Sequence, residues 1–290
     1  MKTSAGERVF DVFNIILTAL VAFVCVYPMW YVCMSSFSDA DLYANTYSAM
    51  WKPLGFSLRA YEVVLNNPNI KSGYYNTLIY AFAGTAANIF MTVLGAYGLS
   101  RKNIMVKRAF MVFIVVSMYF SGGMIPNFLL VKALGMYNTR FALIVPGLIA
   151  TWNLIILRTA FSQIPYELEE SVKIDGGNDL VILWCITVPM AKATIAVIAM
   201  YYMVGHWNAW FGAMIYLQDA KLKPLQLFLR DILISLTVSG NTVDGGVEIA
   251  NLYLTVRHAT IMVSTLPILV IYPFIQKYFT RGLMMGSLKG

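Results

Sequence analysis

Long stretches without a single Asp, Glu, Lys or Arg decide what this chain can fold into. Residues 12–38, 72–100, 109–131 and 193–218 are each free of charge. A bilayer core about 30 Å thick needs roughly 20 apolar residues of helix, so each of the four can cross it. Two shorter charge-free runs, 141–157 and 259–276, sit at the lower limit. They become long enough when flanking polar side chains reach out to the interface. The composition agrees, with 59% of residues apolar and 12% charged. Typical soluble domains are roughly 45–50% apolar and about 25% charged, so a single soluble globule is excluded. Disorder is excluded by 17 Phe, 18 Tyr, 6 Trp and 17 Met, which must be buried in protein or lipid. The chain therefore reads as an all-α membrane protein with six transmembrane helices.

Residues 180–191 are also charge-free, but the run is too short to cross and Pro189 interrupts it, so it reads as an interfacial or re-entrant piece. The apolar run behind the basic residues 1–8 is too long for a signal-peptide core and has no small-x-small cleavage site, which predicts an uncleaved first span. An even number of spans puts both termini on one side. The loop 101–108 carries Arg101, Lys102, Lys107 and Arg108 with no acid, and short basic loops stay in the cytoplasm, so both termini are expected there. The formal net charge of +7 is spread singly between apolar runs, which fits orientation in a bilayer and not a nucleic-acid surface. Two outer loops, 39–71 and 219–257, carry Pro, Gly and Asn turn signals. Cys25, Cys33 and Cys185 show no metal-ligand spacing and are expected to be small buried hydrophobes, with no disulfide framework. Pro126, Pro146 and Pro267 are expected to kink their spans, and Gly84, Gly95 and Gly98 to be close-packing sites.

One segment does not belong in a membrane. Five of the fourteen acids, Glu167, Glu169, Glu170, Asp175 and Asp179, fall within residues 165–179, between the fourth and fifth spans. Pro165 suits the first turn of a helix, and the glutamates behind it suit the positive amino-terminal end of the helix dipole. Gly176-Gly177 gives a stop, and Asn178 or Asp179 can cap a second short helix running through Val181, Leu183 and Trp184 to Pro189. The result is a compact helix, turn and helix with an acidic end and an apolar face. It is either a solvated connection or a docking element.

The run Glu170-Ser171-Val172, then Ile174-Asp175-Gly176-Gly177, then Leu183 and Val188-Pro189, resembles the coupling-loop signature of ABC importer permeases. Ser171 and Val172 replace two alanines of that signature, Gly177 replaces its third small residue, and Leu183 stands at its usual Phe position with Trp184 beside it. The acid, the Asp-Gly turn and the Pro keep their spacing. The basic loop after the second span, the outer segment 135–139 and the ending 277–290 are also similar to the smaller permease of oligosaccharide importers, in particular those for oligogalacturonides and similar polysaccharide fragments. The resemblance implies a type I ABC importer permease fold with a cytoplasmic coupling helix. It implies a first helix and outer loop over 1–71, a transmembrane domain over 72–276 with its coupling loop near 165–190, and a cytoplasmic tail over 277–290. It further implies a second homologous permease, two ATPase subunits, an extracytoplasmic sugar-binding protein and an oligosaccharide cargo, in a bacterial cytoplasmic membrane. Glu169, Glu170, Ser171, Val172, Ile174, Asp175, Gly176 and Gly177 would couple to the ATPases. Glu170 would pair with a base there, and Leu168, Val172 and Ile174 would be apolar anchors.

The chain has no Gly-x-x-x-x-Gly-Lys-Ser/Thr loop, so ATP and Mg are expected in the partner ATPase and no cofactor in this chain. Sugars offer apolar ring faces and many hydroxyls, so their path is expected to use aromatic and amide side chains at membrane depth. His206, Trp207, Asn208 and Trp210 fall about halfway along the fifth run, with His206 and Trp210 on one helix face at i and i+4. Asn88, Trp152 and Asn153 are further candidates. Each of these polar residues can equally hydrogen-bond a neighbouring helix. A self-sufficient secondary sugar carrier would favour buried charges, which the six runs lack. An intramembrane enzyme would need a cluster of reactive side chains, and His206 stands alone.

Overall fold

The computed structural model describes residues 5–46, 50–101, 106–239 and 246–287. Nearly all of these residues are helical, and a lone antiparallel bridge joins Ser38 and Phe56. Three helices are long and apolar enough to cross a membrane, Gly6–Ser36, Pro68–Ser100 and Asn251–Val270. Three further pairs qualify as broken spans: Lys107–Tyr119 with Met124–Ala133, Phe141–Gly147 with Thr151–Ser162, and Asp179–Met190 with Lys192–Trp207. By length and composition the described helices suffice for three crossings, or for as many as six if each bent pair is one span.

Two runs expected to be single helices are not. The run 109–131 turns through 115° between Tyr119 and Met124. The cause is Gly123, at φ 88° and ψ 175°, a region that a side chain all but forbids. Pro126 therefore sits in the first turn of a new helix, where its missing N–H costs nothing, and does not kink a continuous one. The run 193–218 stops at Trp207 and restarts as the short helix Phe211–Tyr216. Pro146 lies in a 3-10 turn, Val145–Gly147, at a 49° bend, whereas Pro267 lies within the continuous helix Gly246–Ser287. The segment 180–191 forms its own helical piece, set at 82° to the helix that follows, as its length and Pro189 suggest.

The chain divides into two compact units, Met1–Ile70 with Leu229–Pro267, and Lys71–Phe228 with Ile268–Gly290. In the first unit the long helix Ala5–Ser36 exposes Val9, Phe13, Ile16, Leu20 and Val24, a surface suited to lipid tails. Its C-terminal half meets the loop that follows through aromatic contacts, with Phe23 and Tyr27 against Trp51 and the Trp30 indole N–H donating to the Trp51 carbonyl. Aromatic side chains with one polar end suit the membrane interface. Asp39 caps the short helix Ala40–Ala44, and the Tyr43 hydroxyl shares a 3.1 Å hydrogen bond with that of Tyr31. Burial, and then that bond, push Tyr43 up to about 12.

In the second unit a core of Val93, Ala96, Leu154, Leu157, Phe161, Leu183, Ile198 and Tyr202 ties together Thr85–Ser100, Thr151–Ser162 and Lys192–Trp207. Leu183 arrives from a one-turn π-helix, Ile182–Thr187, so the second half of the acidic segment is anchored in this core. Gly95 meets Leu154 at a distance that leaves little room for a Cβ, as close packing requires, while Gly98 faces open space. Cys25 and Cys185 are exposed and Cys33 half-buried, which corrects their reading as buried groups. Cys25, on the outward apolar helix Ala5–Ser36, has lipid and not protein to pack against.

Candidate functional site

The acidic segment folds as its sequence suggests. Glu167–Ile174 is a helix with Glu167, Glu169 and Glu170 in its first turn. It closes in a Schellman motif, in which the Gly177 N–H donates to the Val172 carbonyl at 2.8 Å and the Gly176 N–H to that of Lys173 at 3.1 Å. The two glycines have separate reasons. Gly176 adopts φ 80°, and a Cβ on Gly177 would lie 2.5 Å from Val172 Cγ1. Asn178 then caps the next helix by accepting from the Val181 N–H.

The neighbouring glutamates have different surroundings. Glu169 is 7% exposed, and its carboxylate accepts from the Arg101 guanidinium at the end of Thr85–Ser100. Glu170, Ser171, Asp175 and Gly176 are exposed, Val172 and Gly177 are half-buried, and Ile174 is 85% exposed. A second tie joins the same helix to the far side of the Gly-Gly turn, where the Tyr97 hydroxyl donates to the Asp179 carbonyl at 3.0 Å. Arg101 also lies over the Tyr97 ring, 4.0 Å from its centroid. Both arms of the acidic segment are thus fastened to one helix end. Arg101 and Tyr97 had no role in the sequence reading beyond membrane orientation. The signal that could have found Arg101 was a cation directly ending an apolar run, close to a loop rich in acids.

Asn88 and His206 come together, although His206 lies in the last turn of Lys192–Trp207 and not halfway along a continuous helix. Asn88 is fully buried, and its amide nitrogen donates to the carbonyls of Gly147 at 2.6 Å and Leu148 at 2.9 Å. Its oxygen lies 2.7 Å from His206 Nε2. An amide oxygen only accepts, so His206 Nε2 carries the hydrogen. Gly84 makes the contact possible, because a Cβ there would stand 2.5 Å from that nitrogen. His206 and Trp210 do not share a helix face, because the helix ends at Trp207 and the backbone of Asn208 closes it. Trp207 is buried edge-on to Tyr74, Asn153 is buried, Asn208 is exposed, and Trp210 lies across Phe211. The neighbouring Trp152 is exposed. Among the described residues no group of three or more His, Cys, Asp or Glu could hold a metal ion.

No family model matches the chain. Protein LplC of Bacillus subtilis (strain 168) is 39% identical over 293 residues, covering 100% of this chain and 97% of its own. The polygalacturonan/rhamnogalacturonan transport system permease protein YtcP of the same organism is 39% identical over 285 residues, covering 98% and 99%. Among solved structures, a bacterial ABC transporter involved in the import of the acidic polysaccharide alginate matches with a TM-score of 0.85 and 30% identity, over 96% of this chain and 99% of that one. The chain belongs to the ABC importer permease family. This permease is accordingly a multi-pass protein of the bacterial membrane and a non-catalytic transport subunit. As an ABC importer permease it works with ATPase and binding-protein partners.

Proposed function

We propose that this permease carries an oligosaccharide inward, with acidic polysaccharide fragments as its class of cargo, and that the segment 165–190 is the surface on which an ATPase subunit docks. The observation that carries the docking reading is the contrast within one short helix. Glu169 is turned inward and fastened, while Glu170 and the highly exposed Ile174 are left facing outward on an otherwise well-anchored element. An exposed isoleucine beside a carboxylate suits a groove with an apolar floor and a basic rim. The class of cargo is supported by two relatives whose names refer to galacturonans and to alginate, both acidic polysaccharides.

The full assembly then holds a second homologous permease, two ATPases that bind ATP and Mg, and an extracytoplasmic binding protein. With six crossings both termini and the docking segment lie on one side, and the basic loop 101–108 argues that this side is the cytoplasm, with 1–71, 72–276 and 277–290 as leading segment, transmembrane domain and tail. Asn88 and His206 are occupied by each other, so the exposed Asn208 is the better-placed amide for sugar contact, with Asn153, Trp207 and Trp210 as the other candidates. The test is uptake by the complete transporter in proteoliposomes loaded with ATP. Glu170→Ala, Ile174→Glu and Gly176→Pro each cut uptake of galacturonide oligomers at least about tenfold, while capture by the binding protein is unchanged. Normal transport-coupled ATP hydrolysis in all three variants overturns the docking reading, and transport of neutral oligomers in preference to acidic ones overturns the class of cargo.

A further inference from the structure

The break between Phe141–Gly147 and Thr151–Ser162 frees backbone groups that neither helix satisfies on its own. Two side chains take them up. Asn88 donates to the Gly147 and Leu148 carbonyls, and the Tyr202 hydroxyl accepts from the Ala150 N–H at 2.9 Å. Each is itself held by a second residue, Asn88 by His206 at 2.7 Å and Tyr202 by Thr92 at 2.8 Å. Asn88 and Thr92 are one helical turn apart on Thr85–Ser100, and Tyr202 and His206 one turn apart on Lys192–Trp207. Two turns of two helices therefore face the break together.

We infer that Asn88, Thr92, Tyr202 and His206 form a polar clamp that fixes the bend in this broken span, and that the three helices it joins move as one block during transport. The core cluster joins the same three helices, and the Arg101–Glu169 and Tyr97–Asp179 ties fasten the acidic segment to the other end of the block. A displacement of that segment therefore reaches the break without being absorbed by bending. Asn88 and Tyr202 are positioning residues. Their hydrogen-bonding groups face backbone and their own supports, His206 and Thr92, so their substitution acts on geometry and not on recognition of cargo.

Amide hydrogen exchange of the intact transporter in nanodiscs, followed over residues 145–154, tests the clamp whether or not the cargo is a sugar. Tyr202→Phe removes the acceptor for the Ala150 N–H together with the hydroxyl's bond to Thr92, and speeds exchange at Ala150 about tenfold. Asn88→Ala does the same for the whole bend, while residues 157–161 in the core keep their protection. His206→Gln, whose amide nitrogen can still donate to Asn88 Oδ1, restores the slow exchange that His206→Ala loses. In the uptake assay Asn88→Ala and Tyr202→Phe lower the maximal rate and leave the half-saturating cargo concentration in place. Unchanged exchange in Tyr202→Phe and Asn88→Ala overturns the clamp, and a raised half-saturating concentration with unchanged exchange makes these residues cargo contacts. Should Asn88→Ala fail to assemble, Tyr202→Phe and the His206 pair decide the matter.

Discussion

Glu167, Glu169 and Glu170 share one helical turn, yet only Glu169 is buried. The reason is its partner. Taking a carboxylate out of water is costly unless a cation and hydrogen bonds go with it, and Arg101 supplies both from 68 residues earlier in the chain. Sequence spacing showed that this turn is acidic and fits the helix dipole. It could not show which acid turns inward, because that depends on where a different helix ends. The same holds for Asn88 and His206, whose types and depth were legible while their pairing was not, since Gly84 opens the space between them from a third position. Removing one partner of the Arg101–Glu169 pair leaves the other charge stranded. Arg101→Ala is therefore expected to destabilise the permease by about 3–5 kcal/mol. Glu169→Gln, which removes the charge and keeps the size, should cost less. Thermal unfolding of the solubilised transporter checks the order. Equal loss in the two variants would show that the lost ion pair, and not the packing that only Arg101→Ala removes, sets the cost.

Elements were legible where a pattern ends and obscure where a pattern continues. The helix Glu167–Ile174 announces itself by its acids, its Gly-Gly stop and its Asn cap, and each was found in place. The run 109–131 has no such punctuation to a count of charges. Its apolar residues continue through a 115° turn, and only Ser121-Gly122-Gly123 marks it. The fifth run likewise hides the end of its helix at Trp207, because the residues beyond the end are as apolar as those before it. The two glycines of the first break are not equivalent. Gly123 holds φ 88° with nothing near a potential Cβ, so its cost on substitution is conformational. Gly122 would place a Cβ 3.7 Å from Pro126, an ordinary contact. Gly123→Ala is expected to lower unfolding free energy by about 1–3 kcal/mol, while Gly122→Ala stays within about 0.5 kcal/mol of the parent. Denaturant titration of the purified protein separates the two, and equal effects would mean that space and not backbone angle sets the break.

For the molecule as a whole, the number of crossings fixes the side on which every loop lies. Three helices cross unaided and three bent pairs can each make one crossing, so the side of the acidic segment depends on whether the 115° pair passes through the bilayer. If all cross, Lys173 shares the cytoplasm with the basic loop 101–108, and Lys52 and Lys221 lie outside. If that pair instead dips in and returns, every later loop changes sides and Lys173 is outside with Lys52. Cys25, Cys33 and Cys185 are free, so they are first replaced by Ser to leave a background without thiols. Lys52, Lys173 and Lys221 are exposed, which makes single Lys52→Cys, Lys173→Cys and Lys221→Cys variants reachable by a reagent. In right-side-out vesicles an impermeant maleimide is expected to label K52C and K221C at once, and K173C only after the membrane is opened. Immediate labelling of K173C with protection of K221C would reverse the second half of the chain and remove the proposed docking surface from the side where ATP is found.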